Sequence, residues 1–279
     1  MNMNIPTRKL GKTGAGVTIF GLGGEGVLRT YGHEDEAYDL INRAIDLGIN
    51  YFESARAYSG SESYYGLALK ERRKEIFLTS KSHARDKKGA MAHLKQTLAN
   101  MKTDHLDLWQ VHDVRTEDEI GEIFSSNGAI QAFLEAKEKG LTRFLGVTGH
   151  HDPFITRRCI EKFDFDTVLI PVNPAEPAYK SYLEHVIPLA REKQMGIVAM
   201  KVYLRGFAAR LPWFTGMEPF FRFALSQGVS TSVIGCDDIR QLEENAALAA
   251  SFKPMPEGEK QGLIDKIEPY ARQLMYYKP

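Results

Sequence analysis

The chain has 279 residues, 43% of them hydrophobic and 26% charged, a balance that excludes disorder and supports one large buried core. Lys plus Arg and Asp plus Glu both total 36, so the net charge is zero and no global field selects nucleic acid or an anionic membrane as partner. The two cysteines, Cys159 and Cys236, lack C-x-x-C spacing, which argues against a disulfide framework, a structural zinc site or an iron–sulfur cluster. No window approaches 18 uninterrupted apolar residues, and the start, Met1-Asn2-Met3-Asn4-Ile5-Pro6, carries no apolar leader. We therefore expect a cytoplasmic protein in a reducing compartment, with no membrane or nucleic-acid partner and an oligomeric state the composition leaves open.

In chain order, residues 8–10 and 16–18 around Gly11 and Gly14 read as a short hairpin that closes a barrel floor. Residues 19–22 read as a strand. Ala37, Leu40, Ile41, Ala44 and Ile45 follow helical spacing, Gly48 stops that helix, and 49–52 reads as a strand. The same alternation continues through a strand at 76–79, a helix over 87–100, a strand at 106–111, a helix ending at Gly140 and a strand at 144–147. Strands at 168–170, 197–200 and 232–234 complete the set, with Gly196 and Gly228 as punctuation. Pro171 and Pro174 sit where the sixth strand ends, a place that tolerates a missing N–H. A helical segment after Pro256 is expected outside. Eight strands, each followed by a helix-length segment and with no linker-like stretch, predict one α/β domain over 1–279: a (β/α)8 TIM barrel with an N-terminal β-hairpin and a C-terminal helical segment.

Gly21-Leu22-Gly23-Gly24-Glu25-Gly26 satisfies G-x-G-x-x-G after a strand. A dinucleotide fold would start its helix at those glycines, whereas helical periodicity here begins near Glu34, so the motif reads instead as a glycine-rich loop at the active face.

In such a barrel the chemistry lies at the C-terminal strand ends. Glu53 ends the second strand, Tyr58 follows in its loop, Lys81 ends the third and His112 the fourth. A lysine ammonium lowers a nearby phenol's pKa from about 10 toward general-acid use, a carboxylate fixes the lysine, and a histidine orients a carbonyl oxygen. Each residue also has a plain packing or rim role elsewhere in proteins; it is the four on consecutive strands that point to a site. Gly149-His150-His151-Asp152 contains metal-ligand types, but adjacent residues diverge on an extended chain, and we expect no metal.

Four segments carry a resemblance. Gly48-Ile49-Asn50-Tyr51-Phe52-Glu53-Ser54-Ala55-Arg56-Ala57-Tyr58 resembles the G-x-N-x-x-D-T-A-x-x-Y signature of the aldo/keto reductase superfamily. The stretch from Leu98 to His112 is similar to its second signature, and Lys139-Gly140-Leu141-Thr142-Arg143-Phe144-Leu145-Gly146-Val147-Thr148 to its G-K-I-R-x-I-G-V-S segment. Gln241-Leu242-Glu243-Glu244-Asn245 resembles its adenine-binding helix start. The resemblance implies hydride transfer between a nicotinamide cofactor and an aldehyde, ketone or alcohol, without metal, with Tyr58 as acid/base, Lys81 and Glu53 tuning it and His112 polarising the carbonyl. It implies cofactor contacts from Gly23, Gly24, Thr148, Lys201, Gly235, Cys236, Arg240, Gln241, Glu244 and Asn245, and a substrate pocket including Glu25 and His150. NADP(H) is expected over NAD(H), because Arg240 is a cation available to a 2′-phosphate. The family usually has Asp where Glu53 stands, Asn where Gly149 stands and Gln where Pro171 stands. Two other readings stay open at this point: a cofactor-binding sensor or scaffold with little turnover, and a metal-assisted lyase or hydrolase using Glu53, His112 and His150.

Overall fold

The computed structural model describes residues 3–279. Strands β1 (Thr7–Lys9) and β2 (Gly16–Thr18) pair antiparallel, with Thr7 opposite Thr18, through a 3-10 turn at Gly11–Thr13. Eight parallel strands follow: β3 (Phe20–Gly26), β4 (Tyr51–Glu53), β5 (Phe77–Ser82), β6 (Leu106–Val111), β7 (Thr142–Thr148), β8 (Thr167–Pro171), β9 (Gly196–Met200) and β10 (Thr231–Cys236). They pair in sequence order, and β10 closes on β3 to complete a barrel. The helix Glu34–Asp46 buries the five residues that set its periodicity, and the helices Lys87–Met101 and Ala129–Glu138 end before left-handed Lys102 and Gly140.

Side-chain alternation gives the barrel its two ends. Tyr51, Phe77, Leu108, Leu169, Val198 and Val233 pack with Leu10 and Val17 of the hairpin in one apolar cluster, so the hairpin is a floor plug. Its turn is pressed against β9: a Cβ on Gly11, which has φ 50°, would stand 2.2 Å from the Gly196 nitrogen. Helix starts are fixed next to the opposite face. Asp86, Thr116, Asp152 and Asp238 cap the helices that follow β5, β6, β7 and β10, accepting from Gly89, Glu119, Phe154 and Gln241 nitrogens.

One expectation needs correction. The glycine-rich segment is not a loop, because β3 runs through to Gly26 as a strand. Its neighbours demand glycine: a Cβ on Gly23 would meet β10 backbone at 3.0 Å, and one on Gly26 (φ 69°) would meet the Cys236 carbonyl oxygen at 2.3 Å. The helix Glu257–Ile267 is present after Pro256, but the chain beyond it does not stay outside, since Tyr276 and Tyr277 reach the barrel mouth. Among the described residues no helix is long and apolar enough to cross a membrane.

Leu10 is fully buried in the floor, far in the fold from the strand ends. Leu10→Ala is expected to lower unfolding stability by about 2–5 kcal/mol in urea titration while leaving the mouth of the barrel unchanged.

Candidate active site

A cavity of about 590 Å³ opens at the C-terminal strand ends. Seven of the sequence-selected residues line it: Glu25, Tyr58, Lys81, His112, Thr148, His150 and Lys201. Glu53 lies just behind, buried, with its carboxylate in contact with the Lys81 ammonium and accepting from the Gly24 nitrogen at 3.0 Å. Lys81 also donates to the Ser54 carbonyl at 2.8 Å. Gly24 makes room for this: a Cβ there would stand 2.7 Å from the Glu53 carbonyl oxygen and 2.9 Å from the Tyr58 ring. The extra methylene of Glu53 is thus absorbed by a strand that comes close enough to bind its second oxygen.

The Lys81 ammonium lies over the Tyr58 ring at 4.6 Å, the Arg29 guanidinium over the same ring at 4.9 Å, and His112 stands edge-on to it at 5.9 Å. The lysine was expected to lower the phenol's pKa. Instead burial raises it above the ordinary tyrosine value, with the Glu25 carboxylate adding to the rise and Arg29 opposing it. Burial of the phenol outweighs the effect of the ammonium over its ring, whose charge is matched by Glu53. Burial pulls the Lys81 pKa well below the usual lysine value. It does the same to His112, aided by the Lys81 charge and His150, so the His112 imidazole is neutral.

On one side, Glu25 pairs with Arg29 at 2.9 Å and reaches Arg205 at 3.8 Å. Arg205, with Lys201 and Leu204, has positive φ in the loop after β9. On the other side, Asp113 is buried with φ 52°, holds Arg115 at 2.6 Å and faces His150 Nε2 at 3.2 Å. Burial lowers the His150 pKa to about 4 against the pull of Asp113. The Asp113 backbone nitrogen donates to Thr148 Oγ1 at 2.8 Å, tying the β6 and β7 ends together.

The remaining selected residues lie apart from this cavity. Gly23 and Gly24 serve strand packing; Gly235 does too, since a Cβ there would stand 2.6 Å from Glu25 backbone. Cys236 is buried, and burial pushes its thiol up to about 12. Along the helix Ile239–Ala250, Arg240 is exposed and pairs with Glu244 at 2.8 Å, and Gln241 accepts from the Asp237 nitrogen. The Asn245 amide is engaged, its oxygen accepting from the Tyr203 hydroxyl at 2.6 Å and its nitrogen facing Cys236 Sγ. At Gly149, where Asn was the usual residue, a Cβ would stand 2.0 Å from Thr156 Oγ1, so no larger side chain fits. Among the described residues no group of three or more His, Cys, Asp or Glu is placed to hold a metal.

Sequence reading missed Arg29, Asp113, Arg205, Tyr276 and Tyr277, all of which line the cavity. Asp113, beside His112, had a positional signal; the others arrive from loops and the tail, where no period marks a direction.

The family model for the aldo/keto reductase family matches residues 19–211. The chain belongs to the aldo/keto reductase family. It is an oxidoreductase, and it is similar to the uncharacterized oxidoreductase YqkF of Bacillus subtilis, 27% identical over 219 residues that cover 74% of this chain and 67% of that protein. Its fold is shared by the aldo-keto reductase AKR11C1 of Bacillus halodurans in its holo form, with TM-score 0.79, 23% identity, and coverage of 94% of this chain and 96% of that one. An aldo-keto reductase of Klebsiella pneumoniae in complex with NADPH has TM-score 0.76 at 19% identity, covering 96% of both chains.

After burial, Glu25 is the larger of two carboxylates that raise the Tyr58 pKa, with Asp113 the other, and Arg29 and Arg205 oppose them. Glu25→Gln leaves those cations less opposed and should lower the phenol's pKa. A pH titration of tyrosinate absorbance at 295 nm is expected to show one tyrosine ionising earlier than in the wild type.

Proposed function

We propose that this reductase converts small aldehydes or ketones to alcohols with NADPH, Tyr58 acting as the proton donor. The observation that carries the reading is the placement of Tyr58 in the cavity, between neutral His112 and the buried Lys81–Glu53 pair. Its raised pKa keeps the phenol protonated at neutral pH, as an acid requires. A neutral His112 offers an N–H to a carbonyl oxygen without giving up a proton, so orientation and proton delivery fall to different residues. Lys81, held by Glu53 and the Ser54 carbonyl, places positive charge beside the phenolate that forms when Tyr58 gives up its proton. The sign favours reduction: carbonyl reduction needs the phenol and alcohol oxidation needs the phenolate, so oxidation should gain as pH rises.

The residues present fit a nicotinamide dinucleotide. The cavity is lined by His112, Thr148 and Met200 together with Lys201 and Arg205, polar groups beside cations suited to phosphate. Exposed Arg240 is a further cation, and it would exchange Glu244 for a 2′-phosphate. When bound, the cofactor supplies the hydride; the chain supplies the proton, the orientation and the dry surroundings. The NADPH complex of the Klebsiella pneumoniae relative supports NADP(H) over NAD(H). Asn245 reaches an adenine only by releasing Tyr203.

Tyr58→Phe keeps the ring under Lys81 and removes the donor. NADPH binding followed by fluorescence should persist, while turnover of a small aldehyde falls by about a hundredfold or more. Near-normal turnover in this variant would falsify Tyr58 as the donor. For the cofactor, Arg240→Ala is expected to weaken NADPH binding at least about tenfold more than NADH binding, because NADH lacks the 2′-phosphate.

A further inference from the structure

The last residues of a chain are usually loose unless something ties them down. Here Tyr277 is 4% exposed and Lys278 6% exposed, one residue from the end of the described chain. The Lys278 ammonium donates to Glu176 Oε2 at 2.7 Å and to the Tyr179 and Lys180 carbonyls at 2.9 Å, which uses all three of its donors. Glu176 is equally complete. It accepts from the Tyr277 hydroxyl at 2.8 Å on one oxygen and from the Tyr182 nitrogen at 2.9 Å beside Lys278 on the other. Asn173 donates to the Tyr277 hydroxyl at 2.9 Å and to the Lys201 carbonyl at 3.2 Å, linking the tail to the end of β9.

A buried ion pair is weak evidence for stability, since apolar replacements often do as well; its best-attested use is to fix register. What this pair fixes is the position of two rings. Tyr277 stands edge-on to His150 at 6.3 Å and to Tyr276 at 5.4 Å, and Tyr276 packs on Phe207 at 5.3 Å. Both tyrosines line the cavity that holds Tyr58 and His112.

We propose that the Glu176–Lys278 pair is a positioning lock that holds Tyr276 and Tyr277 as a rigid wall of the substrate pocket, so that the wall limits the size of the carbonyl compound admitted. The proposal rests on the reductase reading. Its consequence is a selectivity for small carbonyls that resides in the tail rather than in the residues at the reacting atoms.

The test compares wild type, Lys278→Met, and the double variant Glu176→Gln/Lys278→Met, in which no lone buried charge remains to unfold the region. Each is assayed with NADPH against propanal, benzaldehyde and 1-naphthaldehyde, and each is followed by hydrogen exchange of the C-terminal peptide. The wild type should discriminate against the naphthaldehyde. Both variants should raise the naphthaldehyde-to-propanal ratio of kcat/KM at least about tenfold, through KM, with propanal kcat retained. Exchange should rise in residues 275–279 while the barrel strands keep their protection. An unchanged ratio with a released tail overturns the wall, and an unreleased tail in both variants overturns the lock. If the wild type reduces none of the three aldehydes, the reductase reading fails separately, and the lock is then decided by exchange alone.

Discussion

The mouth of this barrel depends on one lysine buried with its counter-charge. Lys81 could not remain an ammonium where it lies without Glu53, because burial draws its pKa far down and each unpaired buried charge costs several kcal/mol. Glu53 is held in turn by the Gly24 nitrogen, so the pair ties β3, β4 and β5 together at their C-terminal ends. Tyr58 is stacked against that charge, and His112 against Tyr58. The neutral imidazole and the protonated phenol both follow first from burial, which disfavours their charged forms; the Lys81 charge adds to it for His112 and the Glu25 carboxylate for Tyr58.

That arrangement makes the substitution of Glu for Asp intelligible. The longer side chain would overshoot if the strands kept a usual separation, but the four glycines in β3 let its backbone close on β4 and β10. The motif that matches a phosphate-cradle pattern is a packing device for the buried Glu53 carboxylate. Gly149 is a second example, since the bulk of Thr156 excludes the side chain expected there and leaves Thr148 to meet Asp113.

Much of the fold was legible because it depends on period and punctuation. The helix Glu34–Asp46 buries Ala37, Leu40, Ile41, Ala44 and Ile45, and β6 spans the residues its β-branched and aromatic run marked. The four candidate catalytic residues were also readable, since strand ends of a barrel converge by geometry. Three things were not. The second half of β3, beyond residue 22, hid behind glycines whose usual meaning is a loop. The direction of the Tyr58 shift depended on the burial of its phenol and on Glu25 nearby, which no spacing encodes. The tail's path over the cavity depends on Lys278 meeting Glu176, a contact between residues 102 apart. Long-range polar pairs of this kind leave no periodic trace.

The central claim is that the Glu53 carboxylate acts through Lys81 on Tyr58, and the pH–rate profile of aldehyde reduction tests it most directly in Glu53→Gln beside Glu53→Asp. The account predicts that Glu53→Asp keeps turnover within a few fold. It predicts that Glu53→Gln loses at least about tenfold and moves the alkaline limb to higher pH, because a buried Lys81 without its counter-charge goes neutral and no longer favours the phenolate. A Glu53→Gln enzyme with wild-type turnover and an unmoved limb would contradict it.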